Sequence, residues 1–279
     1  MKPPVDLGGS PDRLLTTWEA ARLAGVGATS IKRWADLRLL RCIRTSGGHR
    51  RYRREDLTRF LAKNVAPDQH PTTAGAWVDR MEHAGPLELQ GEILTGRERL
   101  GAWYLVAEEV AEALVELGIR WKRGQVTLAQ EHLISEKLQR AIARCAESIP
   151  TGFLAPQCVL ATAGGDDHTL GLSLVELCLR EAGWSCLWLG RQTPRAALMS
   201  LLDKGQVKML ALSASAASAN TEWLAGIADS LGEACRRRGV FFAIGGEGAW
   251  PESIDYGERF HDLGSFRRWV SELSPQTDA

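Results

Sequence analysis

From residue 157 onward the chain carries four short apolar runs: 158–162 (CVLAT), 186–190 (CLWLG), 209–215 (MLALSAS) and 240–246 (VFFAIGG). Longer amphipathic stretches separate them. A strand that is apolar on both faces needs cover on both faces. A series of such strands alternating with helical segments therefore specifies a parallel sheet with crossover helices. In a sheet of that kind ligands bind beyond the carboxyl ends of the strands. The residues just after each run are thus the first place to look for chemistry. The G-x-G-x-x-G dinucleotide fingerprint is absent from them, which argues against a nicotinamide site.

The rest of the chain divides by composition. Residues 1–13, rich in Pro, Gly and Asp, read as a flexible tail, and 64–75 (NVAPDQHPTTAG) read as a linker. Between them, 14–63 form a compact basic unit. Residues 76–149 show helical periodicity, with Val106, Val110 and Leu114 at i, i+4 and i+8. Residues 150–279 form the sheet domain. The zero net charge hides an asymmetry, because residues 1–64 carry a net +8 and the remainder a net −8. A basic head on an acidic body predicts that the head alone meets a polyanion. The chain is 44% hydrophobic and 24% charged, which excludes a disordered chain or a disulfide scaffold. No apolar run suits a membrane span, no secretory h-region opens the chain, and the six cysteines form no C-x-x-C pair. The expectation is a cytoplasmic protein with reduced thiols and no membrane contact.

In the head, Thr16-x-x-Glu19 has capping-box spacing and opens a helix. A turn at 24–27 leads to a second helix from about Ala28, carrying Ser30, Lys32 and Arg33. Gly47-Gly48 then forms the tip of a hairpin followed by His49, Arg50, Arg51 and Tyr52. Helix, turn, helix and basic wing is a DNA-binding geometry, and these seven residues, Ser30 to Tyr52, are its candidate contacts. His49 has no metal-ligand partner at suitable spacing, so a phosphate or hydrogen-bonding role is expected. The segments EAARLAGV, IKRW and GGHRRY resemble the winged helix-turn-helix of the MerR/excisionase type, over about residues 14–63.

Two further constellations stand out. After the first apolar run comes Asp166-x-His168-x-x-Gly171, then 41 residues, then Ser213, and later Gly245-Gly246. On the residues alone His168 is open between a structural histidine and a metal ligand oriented by Asp166. In the helical middle, Thr127-x-x-Gln130 predicts a helix start, and nine residues separate Trp121 from Glu131-His132. Taken alone, that Trp reads as core and the Glu-His pair as surface.

The first constellation resembles the cobalamin-binding Rossmann-like domain. The resemblance implies His168 as lower axial ligand to cobalt and a hydrogen-bond relay through Asp166 and Ser213. It also implies Gly171, Gly245 and Gly246 as room for the nucleotide tail. Ser215 stands where that family's S-x-L pattern has Leu. The order of winged helix, helical segment and cobalamin domain, with the Trp and Glu-His spacing, resembles the CarH/LitR photoreceptors over nearly the whole chain. That resemblance implies a four-helix bundle cap over 76–149, with Trp121, Glu131 and His132 against a 5′-deoxyadenosyl group. Lys122 follows Trp121 where the family can carry a histidine able to take the upper cobalt position in the light.

The fold class so read is multidomain: an α winged helix-turn-helix, a four-helix bundle cap and an α/β Rossmann-like doubly wound sheet. The implied function is a light-sensing repressor, not an enzyme. It binds adenosylcobalamin and double-stranded operator DNA as a dark homotetramer, and photolysis of the Co–C bond releases it. Two other readings are a repressor sensing cobalamin, haem or redox state without photochemistry, and a corrinoid methyl-transfer protein. The second leaves the basic head unexplained.

Overall fold

The computed structural model describes residues 14–24, 28–36, 39–45, 47–63, 71 and 73–273, without the side chains of 29, 30, 33, 62 and 63. The expected tail, the turn at 25–27 and most of the expected linker lie outside the described residues. So do the side chains of Ser30 and Arg33. Contacts gather the chain into two compact units, Met1–Pro150 and Thr151–Ala279.

In the first unit, α1 (Thr17–Ala24) starts at the expected capping box. Thr16 N–H donates to Glu19 Oε2 at 2.7 Å, and Glu19 N–H donates to Thr16 Oγ1 at 3.2 Å. Helix α2 (Ala28–Asp36) follows, then strands β2 (Ile43–Arg44) and β3 (Arg50–Tyr52) and helix α3 (Arg54–Lys63). With β1 (Leu15–Thr16) the strands form an antiparallel sheet ordered β1-β3-β2. The β2–β3 wing turns at Gly48, whose φ of 77° suits glycine. Ala20, Ala24, Ile31, Leu57 and Leu61 close its core.

Four helices follow: α4 (Ala74–His83), α5 (Pro86–Leu100), α6 (Trp103–Lys122) and α7 (Leu128–Ser148). Helix α4 starts two residues before the expected boundary because Thr73 accepts the Ala76 N–H as N-cap. Helix α7 starts at the Thr127/Gln130 capping box. Val106, Val110, Ala113 and Leu117 give α6 its buried stripe. Ile134, Leu138, Ala141, Ile142 and Cys145 do the same for α7. Several polar contacts join these helices, two of them the following. Glu92, fully buried, accepts from Arg80 Nε at 2.6 Å. Lys137 Nζ donates to the Met81 and Glu82 carbonyls at 2.7 and 3.1 Å, placing a cation at the C-terminal end of α4. Desolvation pulls that amine below the ordinary lysine value. The head rests on α5: Leu87 and Leu94 pack against its core, and Gln90 Nε2 donates to Leu23 O at 3.2 Å.

The second unit alternates β4 (Gln157–Thr162), α8 (Leu170–Glu181), β5 (Ser185–Gly190), α9 (Arg195–Asp203), β6 (Met209–Ser213), α10 (Thr221–Arg238), β7 (Phe241–Gly245), β8 (Glu258–Phe260) and α11 (Leu263–Leu273). The sheet is parallel throughout, in the order β5-β4-β6-β7-β8. The four apolar runs become β4, β5, β6 and β7. The fifth strand, β8, pairs only with β7 and at three residues is too short to show as an apolar run. The chain leaves β4 toward β5 and then crosses back to β6, so the topological switch point lies between β4 and β6. No helix among the described residues is long and apolar enough to cross a membrane.

Helix α11 is capped by Asp262, whose carboxylate accepts the Ser265 N–H at 2.7 Å and the Ser265 hydroxyl at 2.8 Å. The Ser265 N–H holds this carboxyl below the ordinary aspartate value, with the Ser265 hydroxyl adding to it. Its contribution to stability is therefore complete above the unfolded pKa of about 3.9 and fades as pH falls through the lower folded value. Asp262→Ala is expected to cost about 1 kcal/mol at pH 7. In urea unfolding the gap to the wild type should close as the pH falls below about 4.

Candidate functional site

Strand β4 ends beside β6, and β6 beside β7, with Thr162, Ser213 and Gly245 in one register row. The chain then turns through Gly164-Gly165. Asp166 N–H donates to Ala163 O at 3.0 Å, and Thr162 Oγ1 donates to Asp166 O at 2.6 Å. This turn buries the Asp166 side chain completely while leaving His168 65% exposed. The carboxylate collects donors from two loops. Oδ1 accepts the His168 N–H at 2.8 Å and lies 3.1 Å from His168 Nδ1. Oδ2 accepts the Ser215 N–H at 2.6 Å and the Ser218 hydroxyl at 2.7 Å. Burial pushes the Asp166 carboxyl up; the donors from His168, Ser215 and Ser218 outweigh it and hold the carboxyl below its ordinary value. A carboxylate at Nδ1 fixes the tautomer that carries its proton there, leaving Nε2 as the nitrogen available to a ligand.

Around this pair the glycines make room. The Gly171 position lies against the Ser213 hydroxyl, 3.8 Å from where its Cβ would be. At Gly246, with φ of 87°, a Cβ would collide with the Ala214 carbonyl and stand 3.1 Å from Ser213 Oγ. Ser213 thus opens onto a cradle flanked by two residues without side chains. Ser213 is not the hydroxyl that closes on Asp166; the relay runs through Ser218. Three serines lie at 213, 215 and 218, and only the turn after β6 decides which reaches the carboxylate. Gln192 was also not legible in the sequence. It takes a positive φ of 49°, donates its N–H to Thr162 Oγ1 at 3.0 Å, and holds Asp167 through Nε2 at 2.8 Å. It ties the loop after β5 to the loop that carries His168. On the other face of the sheet a cavity of about 510 Å³ opens between α9 and α10 under Trp223.

Among the described residues no three His, Cys, Asp or Glu side chains gather to hold a bare ion. His168 offers one ring nitrogen, which suits a metal already held in a chelate of its own, and the glycine cradle leaves room for a bulky group. The residues present therefore fit a corrinoid. Residues 156–258 match the B12 binding domain. Residues 14–65 match a helix-turn-helix domain. The chain is 31% identical over 136 residues to the HTH-type transcriptional repressor CarA of Myxococcus xanthus, covering 49% of this chain and 44% of that protein. It is 33% identical over 87 residues to the HTH-type transcriptional repressor CarH of the same organism, covering 31% and 29%. It therefore spans less than half the length of either relative. The Methanosarcina barkeri monomethylamine corrinoid protein superposes with a TM-score of 0.56 at 16% identity, over 75% of this chain and 100% of that one. That likeness establishes shared fold.

In the helical region Trp121 ends α6 and is 45% exposed, and Lys122 beside it is exposed too. At the start of α7 Glu131 bridges two neighbours: Oε2 lies 2.6 Å from His132 Nδ1, and Oε1 accepts the Ser135 hydroxyl at 2.7 Å. The imidazole of His132 is otherwise exposed, and the Glu131 carboxylate orients it. Ser135 thus belongs to this group, as an i+4 partner of Glu131.

In the helix-turn-helix head the seven expected DNA contacts separate. Lys32 on α2 and His49 in the wing are exposed, and Arg51 is half-buried. Tyr52 is corrected: it is wholly buried in the head core, on the inward side of β3, and is not available to DNA. Arg50 is also corrected in role. Its guanidinium donates to Lys32 O at 3.1 Å and forms an ion pair with Asp36, so it ties the wing to α2. Arg41, Arg44, Arg53 and Arg54 stay exposed around it.

These environments predict different salt responses on duplex DNA. Lys32→Ala is expected to reduce the slope of log K against log salt by about one, the loss of one phosphate contact. Arg50→Ala is expected to weaken binding with a smaller change of slope, because its charge is already paired with Asp36. Fluorescence anisotropy across a salt series measures both.

Proposed function

We propose that this chain is a light-responsive transcriptional repressor that binds adenosylcobalamin and operator DNA. The observation that carries the reading is the exposed His168 ring, braced at Nδ1 by a buried carboxylate and set beside a glycine-lined cradle at the sheet's switch point. It stands on the same chain as a helix-turn-helix head, and two relatives of the chain bear the names of transcriptional repressors.

In this reading His168 would hold cobalt through Nε2 while Asp166 keeps the proton on Nδ1. Gly171, Ser213, Gly245 and Gly246 would receive the nucleotide tail. Trp121, Glu131 and His132 are assigned to the adenosyl group, with Glu131 orienting the His132 ring. When bound, adenosylcobalamin supplies a cobalt–carbon bond that visible light breaks. Lys32, His49 and Arg51, together with Ser30 and Arg33, meet DNA, and Arg50 holds the wing against α2. One head makes few contacts, so linking heads in a dark oligomer, a tetramer by resemblance, raises affinity through effective concentration. The cofactor must favour one assembly state over another by its differential affinity, since equal affinity shifts nothing.

The test is absorption of the protein loaded with adenosylcobalamin in the dark and then lit with green light, with sedimentation and DNA binding followed in parallel. The expected result is a His-on alkylcobalamin spectrum that converts irreversibly on illumination, with loss of oligomer and of DNA affinity. Binding without a light-driven change makes the chain a cofactor-sensing repressor, and no binding overturns the cofactor assignment. His168→Ala is expected to weaken binding by at least tenfold and to abolish the His-on spectrum. An unchanged His-on spectrum in that variant removes His168 as the ligand.

A further inference from the structure

We infer that Ser215 is a second positioning residue for the His168 ring, acting through its hydroxyl at Nδ1. The inference rests on the cobalamin reading for its purpose and on the hydrogen bonds of the loop after β6 for its geometry.

Ser215 Oγ lies 3.0 Å from His168 Nδ1, as close as Asp166 Oδ1 at 3.1 Å. The two oxygens approach the same nitrogen from different loops. Asp166 alone is a divided acceptor. Its Oδ1 already takes the His168 N–H at 2.8 Å, and its Oδ2 takes the Ser215 N–H and the Ser218 hydroxyl. Four contacts use the lone-pair sites an ionised carboxylate has. The imidazole, with most of its surface in water, lacks the packing that would hold its plane. A second acceptor at Nδ1 makes a three-centre hydrogen bond, so a rotation of the ring must break two contacts.

The Ser215 hydroxyl is itself fixed. Its oxygen accepts the Ala217 N–H at 3.3 Å, and the Ser215 carbonyl accepts the Ser218 N–H at 2.8 Å, closing a tight turn. Its backbone N–H is the donor to Asp166 Oδ2. Ser215 therefore grips both members of the pair, the carboxylate with its main chain and the imidazole with its side chain. A leucine at this position keeps the first contact and lacks the second. The serine in place of the S-x-L leucine thus adds a polar hold on the ring.

Three variants separate the hydroxyl from the turn. Ser215→Ala and Ser215→Cys keep the backbone N–H to Asp166 and remove the oxygen acceptor, and Ser215→Thr restores it. The first readout uses the cofactor-free protein: the nitrogen-bound proton at His168 Nδ1 in 15N-resolved NMR. It is expected to be slow to exchange in the wild type and in Ser215→Thr, and broadened by exchange in the Ala and Cys variants. The second readout is the dissociation constant for adenosylcobalamin in the dark, with the His-on fraction of the spectrum. About a tenfold weakening in the Ala and Cys variants is expected, within the range for removing a group that orients a metal ligand. An Ala variant with the wild-type Nδ1 proton signal overturns the inference, whatever the cofactor does. A wild type that binds no cobalamin overturns the cofactor reading instead, and the NMR comparison still decides whether Ser215 holds the ring.

Discussion

The second unit is organised around one buried charge. Asp166 sits at the switch point of the sheet with no side-chain exposure, and a lone carboxylate there would be costly to bury. It is stable because donors converge on it from its own loop and from the loop after β6. The hydrogen bonds that meet the desolvation cost also join β4 to β6 at their ligand-binding ends. The same group that secures the loops therefore orients the imidazole that faces outward. Gly165, at a φ of 82°, makes the turn before it, and Gly246 across from it lets the chain pass close to the Ala214 carbonyl.

Much of this was legible in the sequence, for identifiable reasons. A strand covered on both faces must be a continuous apolar run, so β4, β5, β6 and β7 announced themselves. A helix start has a local grammar, so Thr16/Glu19 and Thr127/Gln130 were readable as caps. What was not readable depends on turns. Ser218, rather than Ser213, reaches Asp166 because the chain turns at 215–218, and spacing alone does not show which of three serines the turn brings round. Gln192 holds a positive φ without being glycine, so its sequence carries no flag. Strand β8 is three residues long, too short to show as an apolar run.

The head shows a different limit. A count of basic residues treats every arginine as free charge, yet Arg50 is committed to Asp36 and the Lys32 carbonyl. Tyr52 lies one step beyond Arg51 on a strand, and alternation sends it to the opposite face, into the core with Ile31 and Leu57. The wing's pairing register, Arg51 with Ile43 and Arg50 with Arg44, is what decides which of GGHRRY points outward.

The head is also more than a bead on a linker. Its core continues into α5 through Leu87 and Leu94, and Gln90, itself buried, spends its amide hydrogens on the last turn of α1. Cys145 of α7 donates to the Gln90 carbonyl from the other side. Helix α7 has 21 residues, about 31 Å of helix, with Glu131 and His132 in its first turn and Cys145 in its last. One rigid element thus spans from the Glu131–Ser135 cluster to the helix that supports the helix-turn-helix head. Moving the head independently would expose the apolar surface of Leu87 and Leu94 and strand the Gln90 amide. The physical consequence is that the orientation of α2 and its wing is set by the bundle, so whatever rearranges the bundle rearranges the surface that α2 and the wing present.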